Sequence, residues 1–233
     1  MPVALITGAS KGFGHALARA LVGRGWTLVV DARTAGDLTR AVGQLDRTGA
    51  AVDAVPGDVA DPAHRAELVN AIRRHGRLDL LVNNASALGP SPLPALDRYP
   101  LDELERVYQV NVFAPLALTQ LLLPDLVAAQ GILVDVSSDA AVEAYEGWGG
   151  YGSAKAALDQ LTAVLGTEQP SIRAYAFDPG DMRTDMHQQA FPGEDISDRP
   201  EPATVVPALL RLLDERPPSG RFRAADLLTP ASA

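Results

Sequence analysis

Tyr151 and Lys155, in the stretch "YGSAK", stand four residues apart and share one face of any helix that carries them. A tyrosine hydroxyl moves protons near neutral pH only if its pKa, normally about 10, is brought down. An ammonium one helical turn away favours the phenolate and works in that direction. The two side chains are therefore a candidate proton donor and its tuner, but helix geometry alone does not separate that role from an aromatic and a charge at a helix start. Upstream, "DVSSDAAVEAYEGWGG" supplies Ser138 and an aromatic, Trp148, among Gly147, Gly149 and Gly150. Trp148 reads as core or as pocket wall, and the surrounding glycines favour the wall.

A second chemical feature lies at the N-terminus. After the apolar run "VALIT" comes Thr7-Gly8-Ala9-Ser10-Lys11-Gly12-Phe13-Gly14. A glycine-rich turn between a strand and a helix points backbone N–H groups at an anion, a pyrophosphate above all, at the helix N-terminus. Gly8 suits a tight turn, Gly12 a close approach of ligand, and Gly14 helix–sheet packing. The spacing is G-x-x-x-G-x-G, and such a turn also serves as a plain connector, so its weight comes from the strand before it and the helix after it. The end of the next strand, where an adenosine ribose is usually read, carries Asp31-Ala32-Arg33. An acid there favours a free 2′-hydroxyl and a base a 2′-phosphate. The triplet holds both, and a capping or surface Asp31 beside a solvated Arg33 is an equal alternative.

These residues need a scaffold. Short apolar runs at 3–7, 27–32, 51–59, 78–85, 131–138 and 172–180 alternate with helical patterns, including "AGDLTRAVGQLDRTG" closed by Gly49 and "PAHRAELVNAIRRHG" with cations in its last turn and Gly76 after it. "GRFRAADLL" is expected as a last strand and "ATVVPALLRLLDE" as a helix whose start Pro207 delays. Strands alternating with helices of this length imply βαβ units and a parallel sheet covered on both faces. The expected fold is α/β: one doubly wound domain over residues 1–233, of about seven strands flanked by helices. Residues 181–202, polar with scattered Pro, are expected as a loop or lid.

Bulk properties narrow the field. A net charge of −9 argues against a general nucleic-acid or anionic-membrane binder. The chain has no cysteine, which removes disulfides, thiolate nucleophiles and thiolate metal ligands and fits a cytoplasmic protein. "MPVALITGAS" lacks a basic n-region, so it is not expected to be a signal peptide. "PLALTQLLLPDLVAA" is interrupted by Gln120, Pro124 and Asp125 and reads as too short to span a bilayer. His15, His64, His75 and His187 show no metal-ligand spacing and read as surface or local structural residues, with His187 near substrate only if the lid places it there. No metal site is expected.

Taken in order, TGASKGFG (7–14), Asp58-Val59, NNA (83–85), Asn111 in "QVNVFAP", Ser138 thirteen residues before Tyr151, YGSAK (151–155) and "DPGDMRT" (178–184) resemble the short-chain dehydrogenase/reductase family over nearly the whole chain. The resemblance implies a Rossmann-type fold, the Thr7–Gly14 turn as cofactor site, Asp58 and Val59 at the adenine, and Asn83 and Ala85 along the cofactor trough. Counted from Gly14, the position of the acid in NAD-preferring members falls on Ala32. The base of NADP-preferring members falls on Arg33, with Lys11 at their second basic position. NADP(H) is therefore expected over NAD(H), with Asp31 turned away from the ribose.

The implied chemistry is hydride transfer between a nicotinamide and a carbonyl or secondary alcohol, as in a ketoreductase. Tyr151 exchanges the proton, Lys155 tunes it and holds the nicotinamide ribose, Ser138 holds the substrate oxygen, and Asn111 helps hold a water that links Lys155 to solvent. Pro179, Gly180, Met182 and Thr184 fall in the segment that packs on the nicotinamide. On this reading the glycines before Tyr151 form a flexible pocket wall with Trp148 in it. The partner is a small carbonyl or alcohol substrate, with a homodimer formed by the helices of Asn111–Val127 and Tyr151–Leu165. Three features depart from the family: Ser86 replaces the glycine of its usual NNAG, the lid is short, and "AADLLTPASA" lacks a glycine-containing tail that many members use between subunits. The competing reading is a cofactor-binding regulator or scaffold without turnover, which would have no need of Ser138 and Tyr151.

Overall fold

The computed structural model describes residues 1–45 and 50–228. Gly49, expected to close the second helix, and the last five residues of the tail lie outside the described residues. Seven strands form one parallel sheet: β1 (Val3–Ile6), β2 (Thr27–Ala32), β3 (Val52–Pro56), β4 (Leu80–Asn83), β5 (Ile132–Val136), β6 (Arg173–Asp178) and β7 (Gly220–Arg223). Their order is β3-β2-β1-β4-β5-β6-β7. The direction of winding reverses between β1 and β4, so the crevice beyond their carboxyl ends is where a ligand fits such a sheet.

Strands β1, β2, β4 and β5 are buried at every position, and side-chain parity sorts their residues onto two cores. Ala4, Ile6, Leu28, Val30, Val82 and Val134 face one layer, with α1 (Gly12–Gly23), α2 (Ala35–Gly43) and α8 (Pro202–Glu215). Val3, Leu5, Val29, Leu81 and Leu133 face the other, with α3 (Pro62–His75) and α5 (Ala114–Ala129). Helix α3 has the expected ends: Asp61 accepts the Ala63 N–H, Pro62 starts the helix, and Gly76 ends it at φ 73°.

Four expectations change. "GRFRAADLL" is strand only over Gly220–Arg223; Ala224–Leu228 forms α9, buried through Ala224. Pro207 does not delay α8, which begins at Pro202 and carries Pro207 inside it. The 181–202 segment is not all loop, because Asp185–Ala190 forms α7, with the Thr184 hydroxyl accepting the His187 N–H. The apolar stretch before β5 belongs to a longer helical run, α4 (Leu101–Tyr108), a π turn (Gln109–Phe113) and α5. By length and composition this Leu101–Ala129 run could cross a membrane. Its place here is against the sheet, with Leu118, Leu122 and Leu126 buried in the second core.

Candidate active site

A cleft of about 680 Å³ opens along the carboxyl ends of the strands. One end is built by the glycine turn. Gly8 has φ 66°, and its N–H donates to Asp31 Oδ1 at 2.6 Å. The Thr7 hydroxyl accepts the N–H groups of Asn84 and Ala85, both at 3.0 Å, while Asn84 Nδ2 donates to the carbonyls of Thr7 and Gly8. A Cβ placed at Gly14 would lie 2.4 Å from Asn84 Nδ2 and 2.7 Å from the Gly8 carbonyl, so Gly14 is the packing glycine. Gly12 differs: at φ 58°, a Cβ there would meet only Thr184, at 3.6 Å. Helix α1 starts at Gly12 with no side chain capping its first turn, which leaves backbone donors for an anion. The open face at Gly12 and these donors fit a dinucleotide pyrophosphate.

Gly8, Ser10, Lys11, Gly12, Phe13, Arg33, Asp58, Val59 and Ala85 line this cleft, as do Pro179, Gly180, Met182 and Thr184. Thr7 and Gly14 act from behind it. Asn83 does not reach it. Its Nδ2 donates to Asp135 Oδ1 at 2.7 Å and to the Thr119 hydroxyl at 3.3 Å, beneath the sheet. Parity explains this correction, because Asn83 shares its strand face with Leu81, toward α5; Asn84 is the asparagine that lines the cleft.

Asp31 borders the cleft, but it is neither a surface nor a helix-capping residue. It is fully buried, accepting from Gly8 N–H and paired with His64 Nε2 at 3.0 Å. His64 is therefore a buried partner of the glycine turn. Burial pulls the His64 pKa down, but the hydrogen bond and charge of Asp31 outweigh it, and the net direction is up. Burial raises the Asp31 carboxyl, opposed by His64 and Gly8.

The other end of the cleft holds Ser138, Trp148, Tyr151 and Lys155. Ser138 follows β5, its hydroxyl donating to Asp139 Oδ1 at 2.9 Å and accepting the Ala140 N–H at 3.2 Å. Its carbonyl is held by Arg221 Nη2 at 2.8 Å, and the same guanidinium binds Asp178 and Asp159. Helix α6 (Gly149–Glu168) buries both Tyr151 and Lys155. Lys155 Nζ donates to the Val136 carbonyl at 2.7 Å and lies 5.6 Å from the centre of the Tyr151 ring. Burial lowers the Lys155 pKa to about 8, with the charges of Asp135 and Asp159 opposing. The Tyr151 phenol is not tuned downward here. Burial pushes it up, opposed by hydrogen bonds with Ser86 and Ser138, while Asp178 and Asp139 add to the rise.

Asn111 is fully buried in the π turn, and its amide is committed to protein partners. Oδ1 accepts the Ala87 N–H at 2.8 Å and the Ser86 hydroxyl at 3.0 Å, and Nδ2 donates to the Ala87 carbonyl at 2.8 Å. Trp148 is both wall and packing: it lines the cleft, meets Tyr151 edge-on at 5.8 Å and tilts on Phe191 at 6.0 Å. The glycines beside it are not a flexible wall. A Cβ at Gly149 would strike Leu96, and one at Gly150 the Tyr99 ring, each at 2.4 Å; a Cβ at Gly152 would lie 2.6 Å from the Ala140 carbonyl. They are close-packing positions that let α6 approach its neighbours. His187 is buried in the lid, against Phe191 at 4.9 Å, and also borders the cleft.

Sequence reasoning missed Asn84, the Asp31–His64 pair, Arg221 and the part played by Ser86. Their partners lie 23 to 83 residues away, and no local spacing shows them.

The family model described as short chain dehydrogenase matches residues 2–195. Sepiapterin reductase of Rattus norvegicus is 34% identical over 201 residues, 81% of this chain and 77% of that protein. The (S)-benzoin-forming benzil reductase of Saccharomyces cerevisiae is 33% identical over 239 residues, 98% of this chain and 85% of that protein. Among solved structures, a short chain dehydrogenase from Shigella flexneri complexed with NADP has TM-score 0.90 at 30% identity, covering 96% of this chain and 97% of that one.

Proposed function

The chain belongs to the short-chain dehydrogenase/reductase family of oxidoreductases, and we propose that within it this protein is an NADP(H)-dependent carbonyl reductase using Tyr151 as its proton donor. The observation that carries this reading is the pairing of ends in one cleft: an anion-ready turn rimmed by Lys11 and Arg33, and a buried phenol flanked by Ser138. When bound, the nicotinamide cofactor supplies the hydride. The turn from Gly8 to Gly14 would hold its pyrophosphate, Arg33 and Lys11 a 2′-phosphate, Asp58 and Val59 the adenine, and Lys155 with the Pro179–Thr184 segment the nicotinamide half.

The protein's own part is to hold and protonate. Ser138 holds the substrate oxygen, Tyr151 delivers a proton to it, and the Lys155 ammonium beneath favours the phenolate that remains. Trp148, Leu88, Leu93, Met186 and Phe191 gather around Tyr151 and exclude water from the reacting end. Such an aromatic wall suits a ring-bearing ketone, the class to which benzil, named for the yeast relative, belongs. Residues 181–202 act as the substrate lid of this one-domain enzyme. We place it in the cytoplasm as a homodimer, joined where Phe113, Leu121, Val127 and Val164 are exposed along the π turn, α5 and α6.

The test is NADPH and NADH consumption against a panel of aryl and alkyl ketones and aldehydes, with Arg33→Ala alongside. The expected result is stoichiometric NADPH use and, in Arg33→Ala, KM for NADPH raised roughly tenfold or more with NADH unaffected. A clear preference for NADH, or no carbonyl reduced, would sink this reading. Sedimentation of the wild type and of Phe113→Asp tests the dimer; a monomeric wild type removes it.

A further inference from the structure

We propose that Ser86 is a further catalytic residue, a two-position hydroxyl that donates to Asn111 Oδ1 while Tyr151 is protonated and turns to donate to the Tyr151 oxygen once the phenol has given up its proton. It rests on the reading of Tyr151 as proton donor and extends the machinery to a residue that replaces a glycine of the family's usual motif. Three observations carry it. Ser86 Oγ donates to Asn111 Oδ1 at 3.0 Å, and Ser86 and Tyr151 line the same cleft, where the Ser86 hydroxyl opposes the rise of the Tyr151 phenol. The Asn111 amide is fixed in orientation, because Nδ2 donates to the Ala87 carbonyl while Oδ1 accepts the Ala87 N–H, each at 2.8 Å. When Ser86 turns away, Oδ1 therefore keeps a donor, and no buried acceptor is orphaned.

The other hydroxyl facing Tyr151 is less free. Ser138 already donates to Asp139 Oδ1 and accepts the Ala140 N–H, and it has the substrate oxygen to hold. Ser86 has one hydrogen bond to give up, that to Asn111. No covalent bond to Ser86 changes: the Tyr151 O–H bond breaks, its proton passes to the substrate oxygen, the electron pair stays on the phenolate, and Ser86 adds a hydrogen bond to that anion. Charge-assisted donors of this kind matter most in a buried site. The charged groups facing Tyr151 are Asp139 after β5, Asp178 at the end of β6 and Lys155 on α6. The two carboxylates disfavour the phenolate, so a neutral donor to it has work that Lys155, engaged by the Val136 carbonyl, shares only in part.

The experiment compares wild type, Ser86→Ala, Ser86→Gly, Ser86→Thr and Tyr151→Phe. Two readouts are taken: kcat/KM against pH for alcohol oxidation with NADP⁺, and ultraviolet titration of the phenols, with Tyr151→Phe marking the Tyr151 contribution. Ser86→Ala and Ser86→Gly are expected to move both the rising limb and the Tyr151 titration to higher pH, by about one unit. They should also cut oxidation near neutrality roughly tenfold, while Ser86→Thr keeps the wild-type profile. Coincident profiles in wild type and Ser86→Ala, or a fall in melting temperature with no shift in either readout, would overturn the proposal. Full activity in Tyr151→Phe would instead overturn the underlying assignment of the proton donor, so the two failures are distinct.

Discussion

Lys11 Nζ lies 2.7 Å from Asp185 Oδ2, tying the glycine turn to the first residue of α7. Both side chains are about two-thirds exposed, at 66% and 68%, so the pair adds little to stability, on the order of 0.5 kcal/mol or less. It does occupy one of the two cations assigned to a 2′-phosphate. Asp185→Asn is therefore expected to free Lys11 and tighten NADPH binding about two- to fivefold, leaving NADH binding unchanged. Fluorescence titration of both cofactors measures this. Equal changes for the two cofactors would remove Lys11 from the 2′-phosphate site.

Gly150 and Gly36 make a matched test of close packing. A Cβ at Gly150 would lie 2.4 Å from the Tyr99 ring, whereas one at Gly36, near the start of α2, would have no protein atom within 4 Å. Overpacking at a filled site costs about 1–3 kcal/mol, while replacing an unconstrained helical glycine gains about 0.5–1 kcal/mol. Thermal melts should therefore show Gly150→Ala lowered by several degrees and Gly36→Ala unchanged or raised. Gly150→Ala should lose activity as well, because Tyr151 is the next residue of α6. A neutral Gly150→Ala would mean that Tyr99 moves aside freely.

Much of the frame is legible in the sequence, because parallel strands covered on both faces read as unbroken apolar runs and the glycine turn sits where the first of them ends. Two misreadings had a remedy in strand parity. Asp31 falls on the face of Val29 and Asn83 on that of Leu81, both toward the α3 and α5 layer, so Asp31 meets His64 and Asn83 meets Asp135. Other features had none. The glycines of "EGWGGYG" look like slack until Leu96 and Tyr99, about fifty residues earlier, are seen against them. Ser86 reads only as an added side chain until Asn111 is brought to it by the π turn. The end of "GRFRAADLL" is apolar enough for either strand or helix, and Ala224 settles it by packing with α8 in the first core.

The Asp31–His64 pair is expected to make the glycine turn pH-sensitive. Its imidazole is held above the ordinary histidine value of 6.5, so its contribution is complete below that value and is lost as pH rises through the raised folded one. The buried carboxyl, raised by its burial, also favours the folded state least when ionised and unpartnered. Without added cofactor, the melting temperature is expected to fall as pH climbs from neutral into the alkaline range. His64→Gln, which has no charge to lose, should flatten that slope; His64→Ala, which leaves the buried carboxylate only the Gly8 N–H, should cost about 3–5 kcal/mol. Parallel slopes in wild type and His64→Gln would show that another group titrates.

Beneath Lys155 a second buried carboxyl sets a window of charge. Burial raises Asp135 to about 6, against hydrogen bonds from Thr162 and Asn83 and the charge of Lys155. Lys155 is lowered by burial to about 8, with Asp135 the larger of the two carboxylates that oppose the fall. Between these values both are ionised, and each keeps the other charged. Asp135→Asn removes the chief support of the ammonium, so Lys155 should release its proton at lower pH than in wild type. If the ammonium is what steadies the phenolate, the alkaline limb of kcat/KM for carbonyl reduction should move acidward by about one unit. Thr162→Val, which removes only a hydroxyl from the same carboxylate, provides the control and should leave that limb within a few tenths of a unit. An alkaline limb shared by wild type and Asp135→Asn would assign it to Tyr151 and leave the charge of Lys155 without a part in the rate.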